Sequence, residues 1–193
     1  MKNIAIFVSG GGTDMQSVID AVKTGQINGK IKLVVANKDN IFALQRAKNE
    51  GILSKVFKIK DYQNIEERDK AILEELDSNN IDLVVLAGYL SIITPVLVER
   101  YRGRIINIHP SLIPKFCGKG FYGLKVHEAV IKAGETESGC TVHFVDEGAD
   151  TGKIIEQVKV PVYPTDTAEI LQERILKQEH ILLPKIVAML CEE

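Results

Sequence analysis

Short apolar runs rich in valine and isoleucine recur along the chain, separated by longer stretches with helical spacing. The runs lack polar alternation, which is typical of strands buried on both faces of a parallel sheet. The predicted strands are residues 4–8, 31–36, 55–57, 83–87 and 105–108, and the predicted helices between them are residues 15–23, 41–50, 65–78 and 95–101. This order predicts an α/β fold with a doubly wound, mostly parallel sheet and helices on both faces.

The second half of the chain is less regular. Residues 110–122 form a predicted loop with two prolines and two glycines, followed by a helix over residues 123–133 that ends near Gly134. Further strands are predicted at residues 140–145 and 154–160, and a terminal helix at residues 167–190, which Pro184 should kink or interrupt. No internal repeat or linker divides the chain, so we expect one domain over residues 1–193.

Charge and cysteine usage narrow the class of function. The chain has 24 Lys and Arg against 26 Asp and Glu, so no global basic field favours nucleic acid as a partner. Its three cysteines are far apart, which gives neither a disulfide framework nor a zinc motif and suits a reducing compartment. We see no signal peptide and no run approaching the roughly 20 apolar residues of a membrane span. The expectation is a cytoplasmic protein with no membrane partner.

A glycine-rich turn follows the first predicted strand and opens the first helix. Its sequence is Ser9-Gly10-Gly11-Gly12-Thr13-Asp14, which is neither GxGxxG nor a Walker loop. Glycines let the backbone approach a ligand, and a helix N-terminus offers free N–H groups to an anion. Asp14 is a favourable cap, yet its charge would repel a phosphate. The turn alone is compatible with a phosphate site or with a purely structural connection.

The run Asn107-Ile108-His109-Pro110-Ser111 stands at the carboxyl end of the fifth predicted strand, where open α/β sheets bind their ligands. Asn107 and His109 are two residues apart and share one face of an extended strand. An amide beside an imidazole can stabilise the oxyanion of an acyl transfer and move a proton. Alternatively, Asn107 fixes a turn and His109 is a satisfied, partly buried histidine.

Residues 107–123, read with residues 9–16, 86–90, 139–145 and 146–152, resemble the folate-dependent phosphoribosylglycinamide formyltransferases of purine synthesis. The similarity extends across nearly the whole chain. It implies a formyltransferase-type Rossmann-like fold. It also implies transfer of the formyl group of 10-formyltetrahydrofolate to the amine of 5-phosphoribosylglycinamide, by direct attack through a tetrahedral intermediate and without a metal.

The same resemblance implies a set of site residues. Its catalytic residues are Asn107, His109 and Asp150, with Asp150 raising the pKa of His109. The acceptor phosphate would rest on Gly12, Thr13 and Asp14, where the family more usually has asparagine at the last position. The terminal helix would contact the acceptor through Leu176, Lys177, Gln178 and, chiefly, Glu179. On composition alone, Asp150 and Glu179 would be solvated surface residues.

The donor side of the resemblance is apolar and rich in backbone contacts. The implied folate-binding residues are Leu90, Ser91, Ile92, Ile93, Asn107, Val145, Asp146, Glu147, Gly148, Ala149 and Asp150. Some relatives have arginine at the position of Ser91, and Ile92 and Ile93 also fit simple packing at a helix start. Of the other histidines, His127 and His180 are expected to be structural, and His143 to support the site.

Three alternatives stay open at this point. The catalytic domain of methionyl-tRNA formyltransferase shares the Asn107 to Pro114 run but usually continues with Arg-Gly and adds an RNA-binding domain. Formyltetrahydrofolate hydrolase uses the same Asn, His and Asp residue types in catalysis but delivers the formyl group to water. A non-catalytic folate- or nucleotide-binding module would not require all three residues. The expected partners are small-molecule substrates, and both a monomer and a homodimer fit the sequence.

Overall fold

The computed structural model describes residues 1–192, which form a single seven-stranded sheet with helices on both faces. The strands are β1 (Lys2–Val8), β2 (Gly29–Ala36), β3 (Leu53–Val56), β4 (Leu83–Leu86), β5 (Ile105–His109), β6 (Glu137–Phe144) and β7 (Ile154–Pro161). The helices are α1 (Thr13–Lys23), α2 (Phe42–Asn49), α3 (Ile65–Ser78), α4 (Pro95–Arg100), α5 (Leu124–Lys132) and α6 (Ala168–Glu192).

The sheet order is β3-β2-β1-β4-β5-β6-β7. The first five strands are parallel, whereas β6 runs antiparallel to β5 and β7 antiparallel to β6. This arrangement confirms the predicted doubly wound, mostly parallel α/β fold. The chain winds outward from β1 in both directions, so a crevice opens beyond the carboxyl ends of β1 and β4.

Alternate residues of each central strand enter two separate apolar layers. Ile4, Ile6 and Val8 belong to the larger layer, whereas Ala5 and Phe7 belong to the smaller one. Helices α1 and α6 cover the larger layer, and α3 and α4 cover the smaller one. Burial on both faces explains why these strands show continuous apolar runs.

Two predictions about individual elements need correction. Of the predicted kink or interruption at Pro184, the interruption does not occur, because α6 continues through this residue. The buried face of α6, with neighbours such as Leu183 and Val187 fully enclosed, outweighs the one hydrogen bond that proline removes. Strand β3 begins at Leu53, two residues early, because it pairs with β2 from Leu33 onward.

Within residues 1–192, no helix is both long and apolar enough to cross a membrane. Over the same described residues, no group of three or more His, Cys, Asp and Glu side chains is arranged to hold a metal ion.

Candidate active site

The glycine-rich turn after β1 has the geometry of an open ligand-binding loop. Gly12 is the N-cap of α1 with φ of 73°, and a Cβ there would approach the Cβ of Ala43 to 2.7 Å. A Cβ on Gly10 or Gly11 would meet nothing within 4 Å, so that side of the turn is open. The first N–H groups of α1 have no intrahelical acceptor, which makes this end suitable for an anion. Gly12 caps α1 instead of Asp14, which lies in the first turn.

Helix α6 packs beside this turn and brings a second carboxylate to it. Glu179 is buried, not solvated as composition alone suggested, and only 6% of its surface is exposed. Burial, reinforced by the charge of Asp14, raises the pKa of Glu179 well above its usual value. Burial likewise raises the pKa of Asp14 to about 6. Two carboxyl groups that resist ionisation therefore lie at the predicted acceptor site.

The four predicted residues of α6 do not share one environment. Glu179 is buried, Leu176 and Gln178 are partly exposed, and Lys177 is fully on the surface. Leu176 and Glu179 are three residues apart and lie on one side of the helix, from which Lys177 is rotated away. The structure thus brings Glu179 to the turn, while Lys177 stays in solvent.

Three predicted catalytic side chains converge beyond the carboxyl end of β5. Asn107 Nδ2 donates to Asp150 Oδ1 over 3.3 Å. The His109 Nδ1 atom lies 3.6 Å from Asp150 Oδ2. Strand β5 supplies the amide and the imidazole two residues apart, and the β6–β7 connection supplies the carboxylate. The predicted grouping of Asn107, His109 and Asp150 is therefore present in the fold.

His143 on β6 supports the amide of Asn107. The two residues are register partners in the antiparallel pair of β5 and β6. The Nδ1 atom of His143 lies 2.8 Å from the carbonyl of Phe144. Its Nε2 atom lies 3.1 Å from Asn107 Nδ2 and 3.5 Å from Asp150 Oδ1. His143 and Asp150 together fix the orientation of the Asn107 amide.

His109 is buried, and its ring is held on both sides. Its Nε2 atom donates to the carbonyl of Phe116 at 2.9 Å, leaving Nδ1 to face Asp150. Burial lowers the pKa of His109 below its ordinary value, and this effect exceeds the opposing contributions of the Phe116 hydrogen bond and the Asp150 charge. Asp150 acts in the predicted direction, but the predicted net rise of the pKa is wrong because the ring is desolvated.

Asp150 is fixed by contacts from three parts of the chain. Its φ of 58° is unusual for a residue with a side chain, and its Oδ2 accepts from the Gly118 N–H at 2.9 Å. Burial raises the pKa of Asp150, but hydrogen bonding and charge from His143, His109 and Gly118 together hold it below its usual value. Asp150 is therefore an ionised carboxylate that joins the loop after β5 to the loop after β6.

The predicted donor-binding segments lie on two neighbouring connections. Leu90 and Ile92 have exposed fractions of 53% and 75%, whereas Ile93 packs against the smaller apolar layer. Packing at the start of a helix thus explains the presence of an apolar residue at Ile93 but not at Ile92. Ser91 is partly buried and accepts a hydrogen bond from Arg68 on α3.

The other donor-binding segment is the β6–β7 connection. Val145 packs against the smaller apolar layer. Asp146 Oδ1 accepts from the Gly148 N–H at 3.0 Å and from Thr151 at 2.6 Å, which shapes the turn. Glu147, Gly148 and Ala149 project into solvent at its tip. The turn therefore presents mainly backbone groups.

Sequence reasoning missed three contributors to this region. They are the carbonyl of Phe116, the N–H of Gly118 and the guanidinium of Arg68. The first two are backbone groups, for which residue type gives little signal. Arg68 is an ordinary charged residue in a helical pattern, and only the tertiary fold buries it.

Comparison with known proteins assigns this chain to a family. Residues 2–187 match the family described as formyl transferase. The chain belongs to the formyl transferase family.

Its similar relatives are more specific. It is 43% identical to phosphoribosylglycinamide formyltransferase of Haemophilus influenzae, with all of this chain and 88% of that protein covered. It is also 43% identical to the trifunctional purine biosynthetic protein adenosine-3 of Drosophila melanogaster. That match covers 98% of this chain but 14% of the Drosophila protein. The crystal structure of glycinamide ribonucleotide transformylase 1 from Geobacillus kaustophilus superposes with a TM-score of 0.93 at 41% identity, covering 99% of both chains.

Proposed function

We propose that this chain transfers the formyl group of 10-formyltetrahydrofolate to the amine of 5-phosphoribosylglycinamide, a step of purine biosynthesis. The observation that carries the proposal is the convergence of Asn107, His109 and Asp150, with separations of 3.3 and 3.6 Å, beyond the carboxyl end of β5. The names of the similar proteins support the same reaction. Binding alone would not require an oriented amide, an imidazole and a carboxylate together.

The acceptor would bind at the turn that opens α1. Its phosphate would accept hydrogen bonds from the backbone N–H groups of Gly12, Thr13 and Asp14, which the helix leaves without partners. Glu179 would contact the remainder of the acceptor from α6. The open space above Gly10 and Gly11 supports this placement, because no side chain fills it.

The donor would bind between residues 90–93 and residues 145–150. The exposed side chains of Leu90 and Ile92 offer an apolar surface for the flat pterin, which fits the usual composition of a cofactor pocket. The backbone groups of the β6–β7 turn would supply the polar contacts. This arrangement would place the formyl group near Asn107, His109 and Asp150.

In the reaction, the acceptor amine attacks the formyl carbon and forms a tetrahedral intermediate with an oxyanion. The Asn107 amide and a protonated His109 would donate hydrogen bonds to that oxyanion once they give up their present contacts with Asp150. The bond between the formyl carbon and the folate nitrogen then breaks. The attacking amine passes one proton to His109, and His109 passes one proton to the folate nitrogen as that nitrogen leaves, so the transfer releases no net proton. Asp150 stabilises the protonated imidazole during the exchange.

The first experiment follows the absorbance change of 10-formyltetrahydrofolate with 5-phosphoribosylglycinamide present and then omitted. Turnover that depends on the acceptor is the expected result. Consumption of the folate without acceptor would favour the hydrolase, and no consumption in either case would leave the binding module. Transfer to charged initiator tRNA, tested separately, would favour the tRNA formyltransferase.

We further infer that residues 1–193 act as one domain in the cytoplasm. The three cysteines are unpaired, which suits a reducing compartment. Small-molecule substrates, rather than nucleic acid or membrane, are the partners that this site would take. Sedimentation at working concentration would distinguish the monomer from the homodimer.

A further inference from the structure

A fully enclosed ion pair lies beneath the segment that we assign to donor binding. Arg68 and Asp69, consecutive on α3, both have side chains with no exposed surface. The Arg68 guanidinium donates to Asp69, to the hydroxyl of Ser91 and, over 2.6 Å, to the carbonyl of Ile92. Its planar set of donors thus reaches two successive residues of one segment.

Asp69 holds the far end of the same segment. Its Oδ2 atom accepts from the backbone N–H of Thr94 at 2.6 Å. At the near end, the N–H of Leu90 donates to the Ser9 hydroxyl at 2.8 Å, next to the glycine-rich turn. Residues 90–94 are therefore fixed at four points: one through Ser9, two through Arg68 and one through Asp69.

This fixation has an unusual result for the side chains. Leu90 and Ile92 are held in solvent, with 53% and 75% of their surfaces exposed, while the polar groups of the segment turn inward. A backbone without such contacts would be free to bury these apolar side chains. An apolar surface held open in this way is typical of a ligand site.

We propose that Arg68 and Asp69 are positioning residues for the formyl donor: they hold residues 90–94 in the shape that receives the pterin. This inference rests on the proposed function. Because both side chains are fully enclosed, they act through the segment and do not touch the donor. A buried ion pair often adds little net stability compared with apolar residues of similar size, so the pair is better explained by the geometry that it imposes.

The test compares two variants with a matched control. Arg68→Lys keeps the charge but loses the planar fork. The double variant Arg68→Met with Asp69→Asn removes both charges and keeps an acceptor for Thr94, so that no lone charge is buried. The control replaces Arg100 and Asp77, a half-exposed ion pair that joins the same helices α3 and α4 at 3.0 Å.

In both test variants we expect the KM for 10-formyltetrahydrofolate to rise about tenfold, equivalent to about 1.4 kcal/mol. The kcat should stay within about twofold, and the KM for the acceptor should not change. Backbone hydrogen exchange of residues 88–94 should become faster. The control pair should leave all of these values unchanged.

An unchanged donor KM in a folded double variant would overturn the proposal. A fall in kcat together with a rise in the KM values of both substrates would also overturn it. Isothermal titration with tetrahydrofolate separates this inference from the proposed function. If the wild-type chain shows no formyl transfer, the proposed function fails, and the positioning role still predicts weaker tetrahydrofolate binding in the variants. Equal affinity of wild type and variants would then refute it.

Discussion

The Oδ1 atom of Asp14 lies 3.6 Å from the Nε2 atom of His180, and neither atom has a hydrogen-bond partner within residues 1–192. Burial raises the pKa of Asp14 to about 6, and burial together with the charge of Arg46 lowers the pKa of His180. Both side chains therefore favour their neutral forms. Below about pH 6 the Asp14 carboxyl can donate a hydrogen bond, and above it the carboxylate repels an anion.

Asp14→Asn should therefore strengthen binding of the phosphorylated acceptor at pH 8. We expect the acceptor KM to fall about threefold to tenfold, because removing one nearby charge is worth about 1 kcal/mol in a solvated site. At pH 5.5 the variant and the wild type should have similar KM values. The phosphate itself also titrates near pH 6, but that effect is common to both proteins. Asp20→Asn, an exposed change on the same helix, serves as the control, and an equal response in both variants would contradict this account.

Glu179→Gln should make the folded chain more stable at neutral and alkaline pH. Burial, with the charge of Asp14, raises the pKa of Glu179, so the native state retains a proton that the unfolded state releases. Stability is therefore lost as pH rises from the ordinary value of the carboxyl toward its raised folded value. The variant should melt about 2 to 8 °C higher at pH 8 and unchanged at pH 4.

The same Glu179→Gln variant should show lower turnover, because the Glu179 side chain is assigned to the acceptor. Glu173→Gln on the exposed side of α6 is the matched control for both measurements. If the variant and the wild type melt at the same temperature at pH 8, the buried Glu179 side chain does not lower the stability of the folded chain.

His109→Ala and Asp150→Asn should each lower kcat by about 10² to 10⁴, the usual range for losing a general acid or its electrostatic support. Circular dichroism should show an unchanged fold, since both side chains lie at the carboxyl end of β5 and outside the two apolar layers. Asp61→Asn, on the exposed surface, should leave kcat unaffected. Near-normal turnover in either test variant would remove that residue from the mechanism.

Gly118→Ala should reduce kcat through Asp150, whereas Gly120→Ala in the same loop should not. Both glycines have a positive φ, of 83° and 94°, so both variants suffer a similar backbone penalty. Only Gly118 donates its N–H to Asp150. Alanine keeps the N–H but is strained at this φ, so the backbone should shift and the hydrogen bond to Asp150 should weaken or break. We expect about a tenfold loss of kcat for Gly118→Ala, consistent with the loss of about one hydrogen bond to a charged group. Equal activity of the two variants would show that the Gly118 contact is dispensable.

The sequence was informative where residue type and periodicity carry the signal. Continuous Val and Ile runs predicted the five parallel strands, and the Asn107 and His109 pair was placed correctly at a carboxyl end because strand alternation puts both on one face. The convergence of Asp150 with them came from the resemblance, since its own loop looks like an ordinary turn.

The remaining features depend on tertiary packing. Nothing local indicates that Glu179 is buried or that Arg68 is enclosed, because both occupy regular helical positions with charged neighbours. The sign of the His109 pKa shift is a balance between desolvation and charge, which residue order does not determine. Pro184 within α6 shows the same limit, since the burial of a whole helical face outweighs a local breaker.

Asp150 closes a covalent and hydrogen-bonded ring that runs from β5 through residues 110–118 and back through residues 144–150. Because the two loops must meet at the hydrogen bond between Gly118 and Asp150, the length of one loop constrains the length of the other. Over evolutionary time, an insertion in the loop after β5 should persist only when the β6–β7 connection changes with it. The lengths of the two loops are therefore expected to be correlated among related chains, whereas the connections near the opposite edge of the sheet should vary in length independently.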